Sequence, residues 1–245
     1  MVVEGPTLVA EALAAQAVVR EIFVDDRFAD EPSVALALDR GIAVYTLNQG
    51  VLEKILSTVT PQPIVAVIER RQVVIDDLAV DRPVLMLVDA RDPGNVGTLC
   101  RTAEGAGMAG LILAGESVDP TNPKVVRAAA GASLRSPIVE SPDYAVACTE
   151  LRAQGRRIVT TGLGIEASHY DAVDLRTAVI VLGNEAHGLD PDVCALADDN
   201  VAIELDGPTE SLNVAAAGAV LAFESLRQRR NSLARPLSPG QVVSQ

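Results

Sequence analysis

Residues 84–114 read Val84-Leu-Met-Leu-Val-Asp89-Ala-Arg-Asp-Pro93-Gly-Asn95-Val-Gly97-Thr-Leu-Cys-Arg101-Thr-Ala-Glu-Gly105-Ala-Gly107-Met-Ala-Gly110-Leu-Ile-Leu-Ala114. The apolar run Val84–Asp89 does not alternate with polar residues, which predicts a strand buried on both faces. Pro93-Gly-Asn95 makes a turn, and Asn95 can cap the helix expected over Gly97–Gly107. A second apolar run, Gly110–Ala114, follows at once. Strand, helix and strand in so short a span are the repeating unit of a parallel sheet. Gly105, Gly107 and Gly110 fit G-x-G-x-x-G literally, yet they close a helix and enter a strand. A dinucleotide fingerprint does the reverse, so these glycines read as a helix C-terminus and turn.

The same pattern continues downstream. Strands are expected at Pro137–Glu140, Arg157–Thr161, Ala178–Gly183 and Val201–Leu205. Helices are expected at Pro123–Gly131, Asp143–Gln154, Pro191–Ala197 and Ser211–Arg229. Short apolar strands alternating with helices predict an α/β fold with a parallel sheet covered on both faces. Helix 214–223 is apolar all round and rich in Ala and Gly. It should be buried on several sides, and a helix shared between two subunits explains that more fully than a core helix.

Upstream, residues 1–75 predict a small α/β unit. Its helices fall near Thr7–Ala17, Ser33–Asp39 and Gln49–Leu56, and its strands at Glu21–Val24, Ile42–Thr46 and Ile64–Ile68. Residues 76–83 are polar and end in Pro83, so they read as a linker. A larger unit then runs over 84–235, and the last ten residues, 236–245, read as a disordered tail.

Composition narrows the chemistry. No apolar run approaches the roughly 20 residues needed to cross a membrane, and the first residues lack a basic region before an apolar stretch, so a cytoplasmic protein is expected. Cys100, Cys148 and Cys194 lie far apart and read as small apolar core residues, with no disulfide framework. The two histidines, His169 and His187, sit in no ligand pattern, so no metal is expected. The net charge is −13, with 20 basic and 33 acidic residues. A protein that blankets phosphates would be basic. Only Lys54 and Lys124 are lysine, so any phosphate contact falls to arginine, which suits directed, bidentate contact. Aromatics are 2% of the chain, too few for a row of base-stacking platforms.

Three segments carry candidate chemistry. The first is the turn and helix from Asn95 to Arg101. The second is Gly183-Asn184-Glu185-Ala-His187-Gly188-Leu189, directly after a buried strand. Ligands bind at the carboxyl ends of parallel strands, and glycines there let the backbone approach closely. The third is Ser211-Leu212-Asn213, at the start of the apolar helix, where free N–H groups favour a polar or anionic ligand.

At these segments the chain resembles the SpoU/TrmH family of RNA ribose 2′-O-methyltransferases, within the SPOUT superfamily. The matching pieces are Asn95-Val-Gly97 with Arg101-Thr-Ala103, Gly183-Asn-Glu185-Ala-His-Gly188-Leu and Ser211-Leu-Asn213. Val118-Asp119-Pro120 with Asn122-Pro-Lys124 and Arg127 adds to them. The opening Val3-Glu4-Gly5-Pro6 looks like the small ribosomal-protein-like RNA-binding domain often placed ahead of this catalytic domain. The resemblance implies a C-terminal trefoil knot, a homodimer formed through it with active sites at the subunit interface, and S-adenosylmethionine as cofactor. The cofactor would rest among Gly183, Ile203 and Leu212, with Thr160, Thr161, Gly162, Asn184, Gly188 and Leu205 around it. The implied catalytic residues are Arg101, Glu185, Ser211, Asn213 and Asn95. Arg101, too basic to accept a proton, reads as an electrostatic clamp, and Glu185 as the proton acceptor. The implied substrate is RNA, ribosomal rather than transfer RNA. The rivals are a tRNA enzyme, a non-catalytic RNA-binding or ribosome-assembly factor, and a small-molecule enzyme using a nucleotide cofactor.

Overall fold

The computed structural model describes residues 1–56, 60–162, 167–184 and 188–232. The first four strands, β1 (Val2–Glu4), β2 (Val19–Asp25), β3 (Ala43–Leu47) and β4 (Ile64–Ile68), form one sheet in the order β1-β4-β2-β3. β4 runs antiparallel to both of its neighbours, whereas β2 and β3 are parallel. Helices α1 (Pro6–Ala14), α2 (Pro32–Asp39) and α3 (Val51–Ile55) complete this unit. Proline opens α1 and α2, where its missing N–H costs nothing and its φ is already helical. Val9, Leu13, Ile22, Val24, Ile64 and Ala66 fill its core. β1 is too short for its pattern to have marked it.

The remaining strands are β5 (Val84–Val88), β6 (Gly110–Ala114), β7 (Ile138–Ser141), β8 (Ile158–Thr161), β9 (Ser168–His169), β10 (Val179–Leu182) and β11 (Asp199–Ala202). They make a seven-stranded sheet in the order β7-β6-β5-β10-β8-β11-β9, and every pair is parallel. Successive side chains point to opposite faces, so the apolar runs supply two cores at once. Leu85, Leu87, Leu111, Leu113, Ile180 and Leu182 meet α4 (Pro93–Gly105) and α9 (Val214–Ser232) on one face. Met86, Val88, Ile112, Val179 and Val181 meet α7 (Tyr144–Ala153) and α8 (Pro191–Cys194) on the other.

The helix expected at Pro123–Gly131 ends early as α5 (Pro123–Ala128), and a separate short helix that was not expected, α6 (Ala132–Arg135), follows it. Ala130 and Gly131 take φ of 48° and 87°, which breaks the helix between them. Gly105 closes α4, Gly107 turns with φ 63° and Gly110 opens β6, as the helix-to-strand reading of these glycines requires.

Residues 75–83 are tied down rather than loose. Leu78 is buried, and the buried Arg156 guanidinium donates to the carbonyls of Ala79, at 2.6 Å, and Arg82. Further contacts join the sheets, among them Val126 of α5, which enters the small core, and Arg135 of α6, which bridges Glu11 of α1 to Glu104 of α4.

Two expectations need correction. Cys194 is exposed at the end of α8, while Cys100 and Cys148 are buried. Asp92, not Asn95, caps α4, accepting from the Asn95 N–H at 2.8 Å. In the single chain α9 buries Ala215, Gly218, Leu221 and Ala222 and leaves Ala216 and Phe223 exposed. The tail at 236–245 lies outside the described residues. Among those described, no helix is long and apolar enough to cross a membrane.

Candidate functional site

The carboxyl ends of β8, β10 and β11 open onto a cavity of about 500 Å3, within the range of small-molecule sites. β10 ends at Leu182, and the chain then folds back on itself. The Asn184 N–H donates to the Gly188 carbonyl at 3.0 Å and the Gly188 N–H returns a bond to Asn184 at 2.8 Å. Glu185, Ala186 and His187, between them, lie outside the described residues. The fold-back needs a glycine at 183, since a Cβ there would stand 2.3 Å from the Gly188 backbone.

Of the residues expected around a cofactor, Thr161, Gly162, Gly183, Asn184, Gly188, Ile203, Leu205 and Leu212 all line this cavity. Thr160 does not. It lies wholly buried below, with its hydroxyl donating to the Asp199 carbonyl at 3.3 Å. The sequence reading missed Val201, Ala202, Glu210, Ala217 and Leu221, which also line it. Most of these are ordinary strand and core-helix residues, and only the convergence of β11 and α9 turns them into a wall.

Ser211 and Asn213 form the rim beside α9. The Asn213 carboxamide caps α9, accepting from the N–H groups of Ala215 at 2.8 Å and Ala216 at 3.3 Å. Its amide nitrogen donates to Oδ1 of Asn95 at 3.2 Å. Two segments 118 residues apart are thereby joined at the cavity mouth. Asn184 sends its side-chain N–H to the Asp89 carbonyl at 2.8 Å. A second, wider opening of about 1060 Å3 adjoins the first and shares Asn184, Gly188 and Asn213 with it. Asn95, Asp92 and Asp190 extend its wall, with Arg91 paired to Glu116 at 2.7 Å.

Arg101 is placed apart. It is exposed on α4 and lines neither opening. Gly105, one turn on, lies 3.8 Å from the half-exposed Phe223 of α9, when measured from where its Cβ would be.

The donor set fits S-adenosylmethionine. Apolar side chains from Leu182, Ile203 and Leu212 can hold an adenine, and backbone at Gly162, Gly183 and Gly188 can approach a polar ligand closely. No group of His, Cys, Asp and Glu among the described residues could hold a metal ion.

Comparison with known proteins points the same way. The model of the SpoU rRNA Methylase family matches residues 82–223, and that of the RNA 2′-O ribose methyltransferase substrate-binding domain matches 2–74. The 23S rRNA (guanosine(2553)-2′-O)-methyltransferase of Bacillus subtilis is 34% identical over 223 residues, covering 90% of this chain and 86% of that protein. An AdoMet-bound rRNA methyltransferase from Sinorhizobium meliloti superposes with a TM-score of 0.81 at 31% identity, covering 93% of this chain and 87% of that one. The SpoU methyltransferase AviRb from Streptomyces viridochromogenes, in complex with AdoMet, gives 0.83 at 25% identity, covering 94% and 91%.

Proposed function

The chain belongs to the SpoU rRNA methylase family, and from that premise we propose that it methylates the 2′-hydroxyl of a ribose in ribosomal RNA. It is an RNA 2′-O-ribose methyltransferase that uses S-adenosylmethionine. The observation that carries the reading is the cavity beside the Asn95–Asn213 pair, open to a second space wide enough for a nucleotide. The relatives named above that act on ribosomal RNA align along nearly the whole chain, which favours ribosomal over transfer RNA.

When bound, S-adenosylmethionine supplies an electrophilic methyl group on a sulfonium. The protein contributes position: holding the 2′-oxygen in line supplies much of the rate. Asn95 and Asn213, already hydrogen-bonded to one another, are set to orient the ribose, with Ser211 beside them. Glu185 accepts the proton, and Arg101 steadies the adjacent phosphate and the developing alkoxide.

Because Arg101 lies outside both openings on an exposed face shared with Phe223, it reaches a site by facing a second copy. We therefore read the enzyme as a homodimer joined through α4 and α9. The C-terminal trefoil knot belongs to this reading. Its support is that the chain runs on from β11, second from the sheet edge, and α9 then packs back against α4 and β10. The units at 1–75 and 84–235, joined by 76–83, are taken as substrate-binding and catalytic domains. A ribosomal RNA substrate puts the reaction in the cytoplasm.

Purified protein would be incubated with methyl-labelled cofactor and, separately, unmodified ribosomal RNA and tRNA. Label in a 2′-O-methylnucleoside of ribosomal RNA, lost in Arg101→Ala, is expected. Label in tRNA alone would move the substrate, and no cofactor binding would leave only a non-catalytic factor. Mixing Arg101→Ala with Asn213→Ala subunits should restore activity if Arg101 acts across the interface. Glu185→Gln at full activity would remove Glu185 as base.

A further inference from the structure

Asp89 is one of three non-glycine residues with positive φ among those described, at 53°. It follows directly on β5, beside β10, where the chain turns toward Pro93. A left-handed conformation is unfavourable for L side chains, though Asp and Asn bear it best, and it persists only where the surroundings impose it.

Here they do so from three sides. The Asp89 N–H donates to the Ala114 carbonyl at 3.1 Å, continuing the ladder with β6. Its Oδ1 accepts from the Glu116 N–H at 2.7 Å. Gly115 makes room for that carboxylate, since a Cβ there would lie 2.3 Å from Oδ1. Residue 90 is strapped to the same loop, its N–H donating to Ser117 Oγ at 3.1 Å and its carbonyl accepting from Val118 at 2.9 Å. The outcome of this bracing is a carbonyl directed across the sheet end to the Asn184 side chain at 2.8 Å. Asn184 in turn closes the fold-back onto Gly188 that walls the cofactor cavity.

We propose that Asp89 is a positioning residue for cofactor binding: its left-handed turn aims its carbonyl at Asn184 and so holds the Asn184–Gly188 backbone pairing at the cavity wall. The proposal rests on the reading of that cavity as the S-adenosylmethionine site. The carboxylate holds the turn, and the carbonyl does the positioning. A β-branched residue should therefore swing the carbonyl away, whereas Asn and Gly should keep it in place.

The test is titration of S-adenosylmethionine by calorimetry, with KM and kcat on RNA, for Asp89→Val, Asp89→Asn and Asp89→Gly. Asp89→Val should weaken cofactor binding and raise its KM about tenfold while kcat moves far less. Asp89→Asn should restore both values, and Asp89→Gly should stay within about threefold of wild type. Asn184→Asp should add little further loss in the Asp89→Val background, because both act on one hydrogen bond. If Asp89→Val does not fold, Asp89→Ala takes its place, with the same split expected at smaller size. A folded Asp89→Val that binds the cofactor like wild type overturns the proposal. So does an Asp89→Asn that fails to restore binding, or full additivity with Asn184→Asp. Ile203→Asp separates the two levels: binding that survives it shows that the cavity reading has failed, not the role of Asp89.

Discussion

Replacing Gly183 with alanine should loosen cofactor binding with little effect on global stability. The nearest backbone atoms to a Cβ at 183 are the carbonyl carbon and oxygen of Gly188, both at 2.3 Å, and ordinary contact begins at 3.4 Å. The fold-back must therefore open by 3.4 − 2.3 = 1.1 Å. Its two backbone hydrogen bonds, at 3.0 and 2.8 Å, cannot absorb that movement and remain bonds. At about 1 kcal/mol each, their loss costs about 2 kcal/mol. Because the Asn184–Gly188 pairing lies at the cavity wall, that cost falls on the ligand site. An increase of about thirtyfold in the dissociation constant for S-adenosylmethionine follows. Calorimetric titration would measure it, with thermal unfolding run alongside. A variant that binds within about threefold of wild type would refute the reasoning, since it would mean that the loop opens without consequence for the pocket.

Gly97→Ala should destabilise the protein, because its Cβ would stand 2.5 Å from Ala128 Cβ and 2.6 Å from the Val125 carbonyl. Overpacking against backbone costs about 1–3 kcal/mol and outweighs the helix-propensity gain of about 1 kcal/mol; a higher urea midpoint would contradict this. Burial pushes the Cys100 thiol up to about 12 and also raises Cys148, so native protein at pH 8 should label rapidly with iodoacetamide at the exposed Cys194 alone. The buried Asp25 carboxylate is held well below the usual range by hydrogen bonds from the Arg27 guanidinium and N–H. Its contribution to stability is therefore complete above the unfolded value near 3.9 and is lost as pH falls below it. Thermal unfolding of Asp25→Asn should trail wild type at pH 6, and the gap should narrow below about pH 4.

Much of the sheet was legible because its strands are buried on both faces and so read as unbroken apolar runs. β4 and β6 fall where the pattern put them. β11 was expected at Val201–Leu205 and lies at Asp199–Ala202. Polar Asp199 and Asn200 pair there with Val159 and Thr160, and hydrogen bonding along a short strand leaves no hydrophobic trace. β9 escaped for the same reason, and β1 because three residues are too few to show a pattern. The cavity wall was legible where glycine and polar residues follow a buried strand, as at Gly183 and Asn184. It was not legible at Ala217 or Leu221, whose types say core and nothing more. Asp89 shows the limit most clearly: a backbone angle decides what it does, and an aspartate after a strand does not announce that angle.

The small sheet is joined to the large one by more than the chain. Val126 fills its core, and Arg135 ties α1 to α4. Its own arginines are largely engaged, Arg20 with Glu69, Arg27 with Asp25 and Arg70 with Glu140. Arginines paired in this way leave the small sheet poorly suited to gather RNA by charge. Those ties set the small sheet and the Asn95–Asn213 pair at a fixed offset, like two marks on a ruler. If the small sheet recognises a feature of the RNA, the nucleotide that receives the methyl group would be chosen by its distance from that feature, and lengthening either tie would move the mark.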